Sequence, residues 1–152
     1  MTLLNAPEYD PRRARRKKEL LAAGLLSVVL VSLLTYRFWN WREERAVDTF
    51  FTQLEQKNYE GAYGIWLADP EWRQHPQKYE RYPYSDFYRD WGPGGEWGLI
   101  KSHQIEVAVR PPQGGTGVIV VVTINQRAQK AFIWVERSDL SLSFSPYELE
   151  LR

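Results

Sequence analysis

A chain of 152 residues has room for one domain and an appendage. It contains no cysteine, which excludes disulfides, thiolate chemistry and cysteine-based zinc sites. The net charge of +1 conceals an asymmetry: residues 1–19 carry six Arg/Lys against three Asp/Glu, while residues 42–152 carry 13 against 16. The cations that would release counterions from phosphates are therefore absent from the part that folds, which argues against nucleic-acid binding.

The first element is a membrane span. Arg12, Arg13, Arg15, Arg16, Lys17 and Lys18 precede residues 20–36, LLAAGLLSVVLVSLLTY, seventeen residues without a charge. As a helix these cover roughly 26 Å, slightly less than a hydrocarbon core of about 30 Å. Arg37 can carry its charge outward on its long stem. Phe38, Trp39 and Trp41 extend the span to about 20 residues, with Tyr36, Trp39 and Trp41 as the interfacial aromatic belt. A cleaved signal peptide would need small residues after its apolar core, but TYRFWNW follows. The six cations on one side place the N-terminus in the cytoplasm by the positive-inside rule. The expected organisation is a basic cytoplasmic tail at 1–19, one crossing of the inner (plasma) membrane at 20–41 and an extracytoplasmic domain at 42–152.

That domain's 111 residues can bury a core without staples. Val47, Phe50, Phe51 and Leu54 recur at helical spacing, which predicts a first helix over 42–57. Asn58 caps a second, with Tyr59, Ala62, Tyr63 and Trp66 at i, i+3, i+4 and i+7. Asp69-Pro70 ends it, and Ser85 caps a third, shorter helix containing Phe87 and Trp91. The period then changes to two. SHQIEVAVR predicts a half-buried strand with Ile105, Val107 and Val109 on one face. GVIVVVTIN is apolar on both faces, KAFIWVE follows, and LSLSFSP turns Leu140, Leu142 and Phe144 inward. Pro146 confines this last strand to an edge. The short connections PPQGGTG, QRAQ and SD suit hairpins. The fold class is α+β: two to three helices packed on one face of a curved antiparallel meander of about four strands.

This order, with the phrase "NYEGAYGIW", resembles the cone-shaped nuclear transport factor 2-like superfamily. "FYRDWGPGGEWG" and "AFIWVERSDLSLSFSPYEL" are similar to segments of uncharacterised, membrane-anchored bacterial proteins of that type. The resemblance covers residues 45–150. It implies a cone-like domain, and either isomerase- or dehydratase-like chemistry or a non-enzymatic scaffold, as in the single-span inner-membrane subunits of type IV secretion machines.

The glycine-rich stretch FYRDWGPGGEWG is not a dinucleotide fingerprint: Gly92 and Gly94 fit, but Trp97 takes the sixth position, and a helix precedes where a strand is needed. Pro93 also removes a backbone donor. The stretch reads as a helix stop and turn, with Trp91 and Trp97 clamping it on the core. Seven aromatics between Tyr79 and Trp97 exceed what a core needs. Tyr82, Tyr84, Tyr88 and Trp97 are therefore candidate partner contacts, with glycan stacking beside Arg89, Asp90 or Glu96 as a lesser option.

Catalytic patterns are thin. Asp86 and Asp90 are spaced i, i+4, but Arg89 lies beside them. His75 sits in a polar run, and two histidines without arranged carboxylates point to no metal. No cofactor is expected. His103 starts a strand on the apolar side and can point into a pocket. The first functional reading is a binding or scaffold module that contacts another envelope protein or a second copy of itself. The alternative is a small-ligand pocket lined by Tyr63, Trp66, Phe87 and Trp134, with catalysis through His103.

Overall fold

The computed structural model describes residues 11–111 and 114–147. Glu8 and Asp10, the Pro112–Gln113 part of the first hairpin turn, the end of the last quoted segment and the outward reach of the Arg37 side chain lie outside the described residues. The chain divides into two compact units, one up to Trp39 and one from Asn40 onward.

Among the described residues the first unit holds a single helix, α1 (Pro11–Phe38). Proline at the first helical position has the right φ and lacks only a donor that no helix start uses. The helix runs unbroken through the basic and the apolar stretches, 28 residues or about 42 Å. Ser27, Ser32 and Thr35 donate to the carbonyls of Ala23, Val28 and Val31, each at 2.8 Å, so their hydroxyls are satisfied within the helix. Leucines and valines cover every side of it and are exposed in the isolated chain. This is one helix long and apolar enough to cross a membrane. It ends earlier than the sequence suggests: a turn at Trp39–Asn40 separates it from Trp41, which opens the next helix.

The second unit is α+β. Three helices, α2 (Trp41–Glu55), α3 (Tyr59–Trp66) and α4 (Tyr84–Trp91), precede an antiparallel sheet of β1 (His103–Val109), β2 (Gly117–Ile124), β3 (Lys130–Glu136) and β4 (Leu142–Phe144). The spatial order is β1-β2-β3-β4, a meander. Two 3-10 turns, Trp72–Gln74 and Pro76–Tyr79, bridge α3 to α4. Asn58 caps α3 by accepting from the Gly61 N–H at 3.1 Å. The α4 helix starts after Pro83 rather than at Ser85, because the Pro83 carbonyl already accepts from Asp86 and Phe87.

Val47, Phe50, Phe51 and Leu54 of α2 pack with Tyr63, Trp66, Phe87 and Trp91 against Val118, Val120, Val122, Ile133 and Val135 of the sheet. Phe50 lies at the centre, with the rings of Phe51, Trp66, Phe87 and Trp91 within 6.1 Å of its own. The start of α2 is tied to the sheet by polar groups. Asn40 Nδ2 donates to the Ala108 carbonyl at 3.1 Å, and Arg137 donates to Asn40 Oδ1 at 2.7 Å. The same guanidinium lies 3.4 Å from the buried carboxylate of Glu43, which compensates its charge.

One expectation fails in β1. Ile105 pairs with Val122, but Val107 pairs with Val121, so Glu106 is an extra, bulged residue. Its carboxylate accepts from Thr123 at 2.5 Å and from Lys130 at 3.3 Å, which holds the bulge. Beyond it the faces exchange: Ala108 turns to the helices, and Val107 and Val109 turn away. Leu140, Leu142 and Phe144 do turn toward the core, though Leu140 precedes the strand and Phe144 is only partly covered. Leu140 sits in a turn with φ of +62°, and Phe144 faces the helices at the rim with half its surface exposed.

Candidate functional site

The glycine-rich stretch folds as a succession of tight turns. Gly92 donates to the Tyr88 carbonyl, Gly95 to Gly92 and Gly98 to Gly95, at 2.8, 3.0 and 3.0 Å. Trp91 and Trp97 on either side are buried, so they do clamp the turn to the core. A Cβ at Gly95 would overlap the Asp90 carbonyl oxygen. Gly95→Ala should therefore cost about 1–3 kcal/mol, measured as a lowered denaturation midpoint, while the open position Gly94→Ala should change little.

The aromatic contacts expected here are mostly turned inward. Trp97 is buried, and Tyr84 is stacked on Trp72 at 5.5 Å. Tyr82 is half-buried; its hydroxyl donates to Asp90 at 3.0 Å, and its carbonyl accepts from Tyr63 at 2.6 Å. Burial first, and the bond to Asp90 second, push the Tyr82 phenol well above its usual range, so it stays a donor. Only Tyr88 of the four presents an exposed ring, set edge-on to Tyr59. Arg89 binds both Asp86 (2.9 Å) and Asp90 (3.3 Å), so the two carboxylates form no free acid/base pair.

The expected pocket residues do not line one cavity. Tyr63, Trp66 and Phe87 are the core, interlocked with ring centroids 5.0–6.0 Å apart. Trp134 lies opposite Ile119 on the far face of the sheet. His103 stacks on Phe51 at 5.4 Å, with Nδ1 2.6 Å from Glu55 and Nε2 3.1 Å from Asp48. Asp48 and Glu55 are two turns apart on α2, so the ring links α2 to the start of β1. Nothing in the sequence spacing pairs His103 with residues 48 and 55 positions earlier. An open groove of about 600 Å³ lies elsewhere, between α2 and α3, lined by Ala46, Gly61, Gly64, Ile65, Trp72 and Leu140. Glu60 and Arg73, at its edge, bind each other. Among the described residues no three His, Asp or Glu are placed to hold a metal ion.

Asp69 forms a second polar centre. It accepts from Tyr79 (2.6 Å), His75 (3.0 Å) and the Glu71 N–H (2.9 Å). These bonds, Tyr79's foremost, hold its carboxyl below the usual carboxylate range. A depressed carboxyl stabilises the folded state above its unfolded value of about 4 and loses that effect as pH falls through the folded value. The Tyr79 ring signals in NMR should keep their folded positions at about pH 5 and shift below about pH 4. Asp69→Asn should abolish that acid transition.

The most distinctive surface is the sheet face away from the helices, where the register lines up two apolar rows. Val107, Val121 and Phe132 form one; Val109, Ile119 and Trp134 form the other. Ile119 and Val121 lie beneath and are fully buried, Val107 is 37% exposed, and Phe132 and Trp134 are half-buried. Trp134 lies flat where a side chain at Gly117 would stand, so only glycine admits it. Glu106, Thr123 and Lys130 form a hydrogen-bonded polar border. The bulge places Val107 in this surface, and simple alternation of β1 misses it. Comparison with protein-family models, with curated proteins and with solved structures gives no match.

Proposed function

We propose that the chain is a single-pass inner-membrane protein, N-terminus in the cytoplasm, whose α+β domain is a binding or scaffold module outside the cytoplasm. Its contact surface is the helix-free face of the sheet, and its partner is another envelope protein or a second copy. The observation that carries this is the pair of apolar rows through Val107 and Trp134, in which Val107 is exposed and Val109, Phe132 and Trp134 are half-buried. Interface cores favour aromatic and aliphatic side chains framed by polar groups, which is the composition found here. The helices-then-meander order is the one that the resemblance to the cone-shaped nuclear transport factor 2-like domains implies. Catalysis through His103 is disfavoured, because both ring nitrogens already face carboxylates and the side chain is 9% exposed.

A photo-crosslinking residue at position 107 of the full-length protein in its membrane should capture a protein partner. Val107→Glu should reduce capture from a second probe at position 132 at least about ten-fold, since a charge buried at an interface core opposes association. Val107 is partly exposed, so folding should survive. Capture from a probe at Tyr88, with none from 107 or 132, would contradict the assignment.

A further inference from the structure

The apolar part of α1 begins at Leu20, and the helix continues for nine residues before it. At 1.5 Å per residue, Lys18 stands about 3 Å and Arg12 about 12 Å beyond that boundary. This depth crosses the headgroup layer, which adds roughly 5–8 Å to each side of the hydrocarbon. A flexible tail would not fix the charges at that depth; a continuous helix does.

The arrangement around the axis is equally specific. At about 100° per residue, positions 12, 13, 15, 16, 17 and 18 point in six well-spread directions. They form a collar, unlike the single cationic stripe of a helix lying flat on a bilayer. All six side chains are exposed. Glu19 is the sole acid among residues 12–19, and it lies 3.6 Å from Arg15. No acid occupies the first turn of the helix.

We propose that this collar, on the membrane reading given above, binds a ring of anionic phospholipids through their phosphodiester groups. Four of its six cations are arginine, whose planar fork matches phosphate oxygens two at a time. A topology signal needs positive charge alone; a lipid site also needs the charges at headgroup depth and on every side, as they are here.

The test uses the full chain in nanodiscs of phosphatidylcholine containing about 30% phosphatidylglycerol, with lipids that remain bound after gentle detergent release counted by native mass spectrometry. Each cation near a charged surface contributes up to about five-fold, so the ratio of phosphatidylglycerol to phosphatidylcholine in the retained lipid should be at least about ten-fold that of the bulk. Enrichment should shrink at 0.5 M salt as screening shortens to a few ångströms. Glutamine at all six positions should remove it. Lysine at the four arginine positions should keep the charge but lower retention several-fold. Retained lipid in the bulk ratio overturns the proposal, as does full displacement by inorganic phosphate, which would mark a general anion site. Flotation with pure phosphatidylcholine vesicles separates the two claims: a chain that fails to float refutes the span itself, while one that floats without enrichment refutes only the collar.

Discussion

Phe50→Ala should lower the stability of the domain by about 3–5 kcal/mol, the usual cost of emptying an aromatic site in a packed core. Phe50 is fully buried and touches four aromatic rings drawn from α2, α3 and α4, so no single neighbour can close the gap. Domains of this size hold about 5–15 kcal/mol in total. The variant should therefore fold but melt at least roughly 10 °C lower, followed by near-ultraviolet circular dichroism of the full-length protein in detergent. Phe144 supplies the control. It also stacks on Trp91, at 5.8 Å, but half its surface is exposed, so Phe144→Ala should cost only about 1 kcal/mol. Equal losses at the two positions would mean that the core is not centred on α2.

The second large effect concerns the span. Leu26 and Leu30 lie near the middle of the uncharged run, one turn apart on α1. An arginine at the centre of a membrane helix opposes insertion by about 2.5–3.5 kcal/mol. Leu26→Arg with Leu30→Arg should therefore disfavour integration by about 5–7 kcal/mol, enough to move the protein from the carbonate-resistant membrane fraction to the soluble one. Each single variant should give a mixture. A double variant that stays in the membrane fraction would show that this helix is not what holds the protein there.

Periodicity made most of the fold legible. The 3.6-residue recurrence of Val47, Phe50, Phe51 and Leu54 marks α2, and Asn58 marks the start of α3, because amphipathic spacing and side-chain capping are local properties. The antiparallel meander follows from short turns between apolar runs. The bulge at Glu106 was not legible, since it depends on Thr123 and Lys130, 17 and 24 positions away. Missing it assigned Val107 to the wrong side of the sheet and hid the surface now proposed for contact.

The candidate site was harder to read, for the same reason. Aromatic composition does not distinguish a ring that fills the core from one that faces a partner. Tyr82 and Tyr84 are drawn inward by Asp90 and Trp72, and Trp97 by the turn it closes, leaving Tyr88 outside. His103 gave a chemical signal without its context. Only the fold brings Asp48 and Glu55 to its two nitrogens and makes it a link between a helix and a strand.

The absence of cysteine permits a direct test of the membrane arrangement. Ser138→Cys, exposed between β3 and β4, and Thr2→Cys near the N-terminus can each carry the only thiol in the chain. With a membrane-impermeant maleimide applied to intact spheroplasts, Cys at 138 should be labelled and Cys at 2 should react only after lysis. Labelling of position 2 in intact spheroplasts, with position 138 protected until lysis, would contradict the proposed orientation and the extracytoplasmic binding role with it.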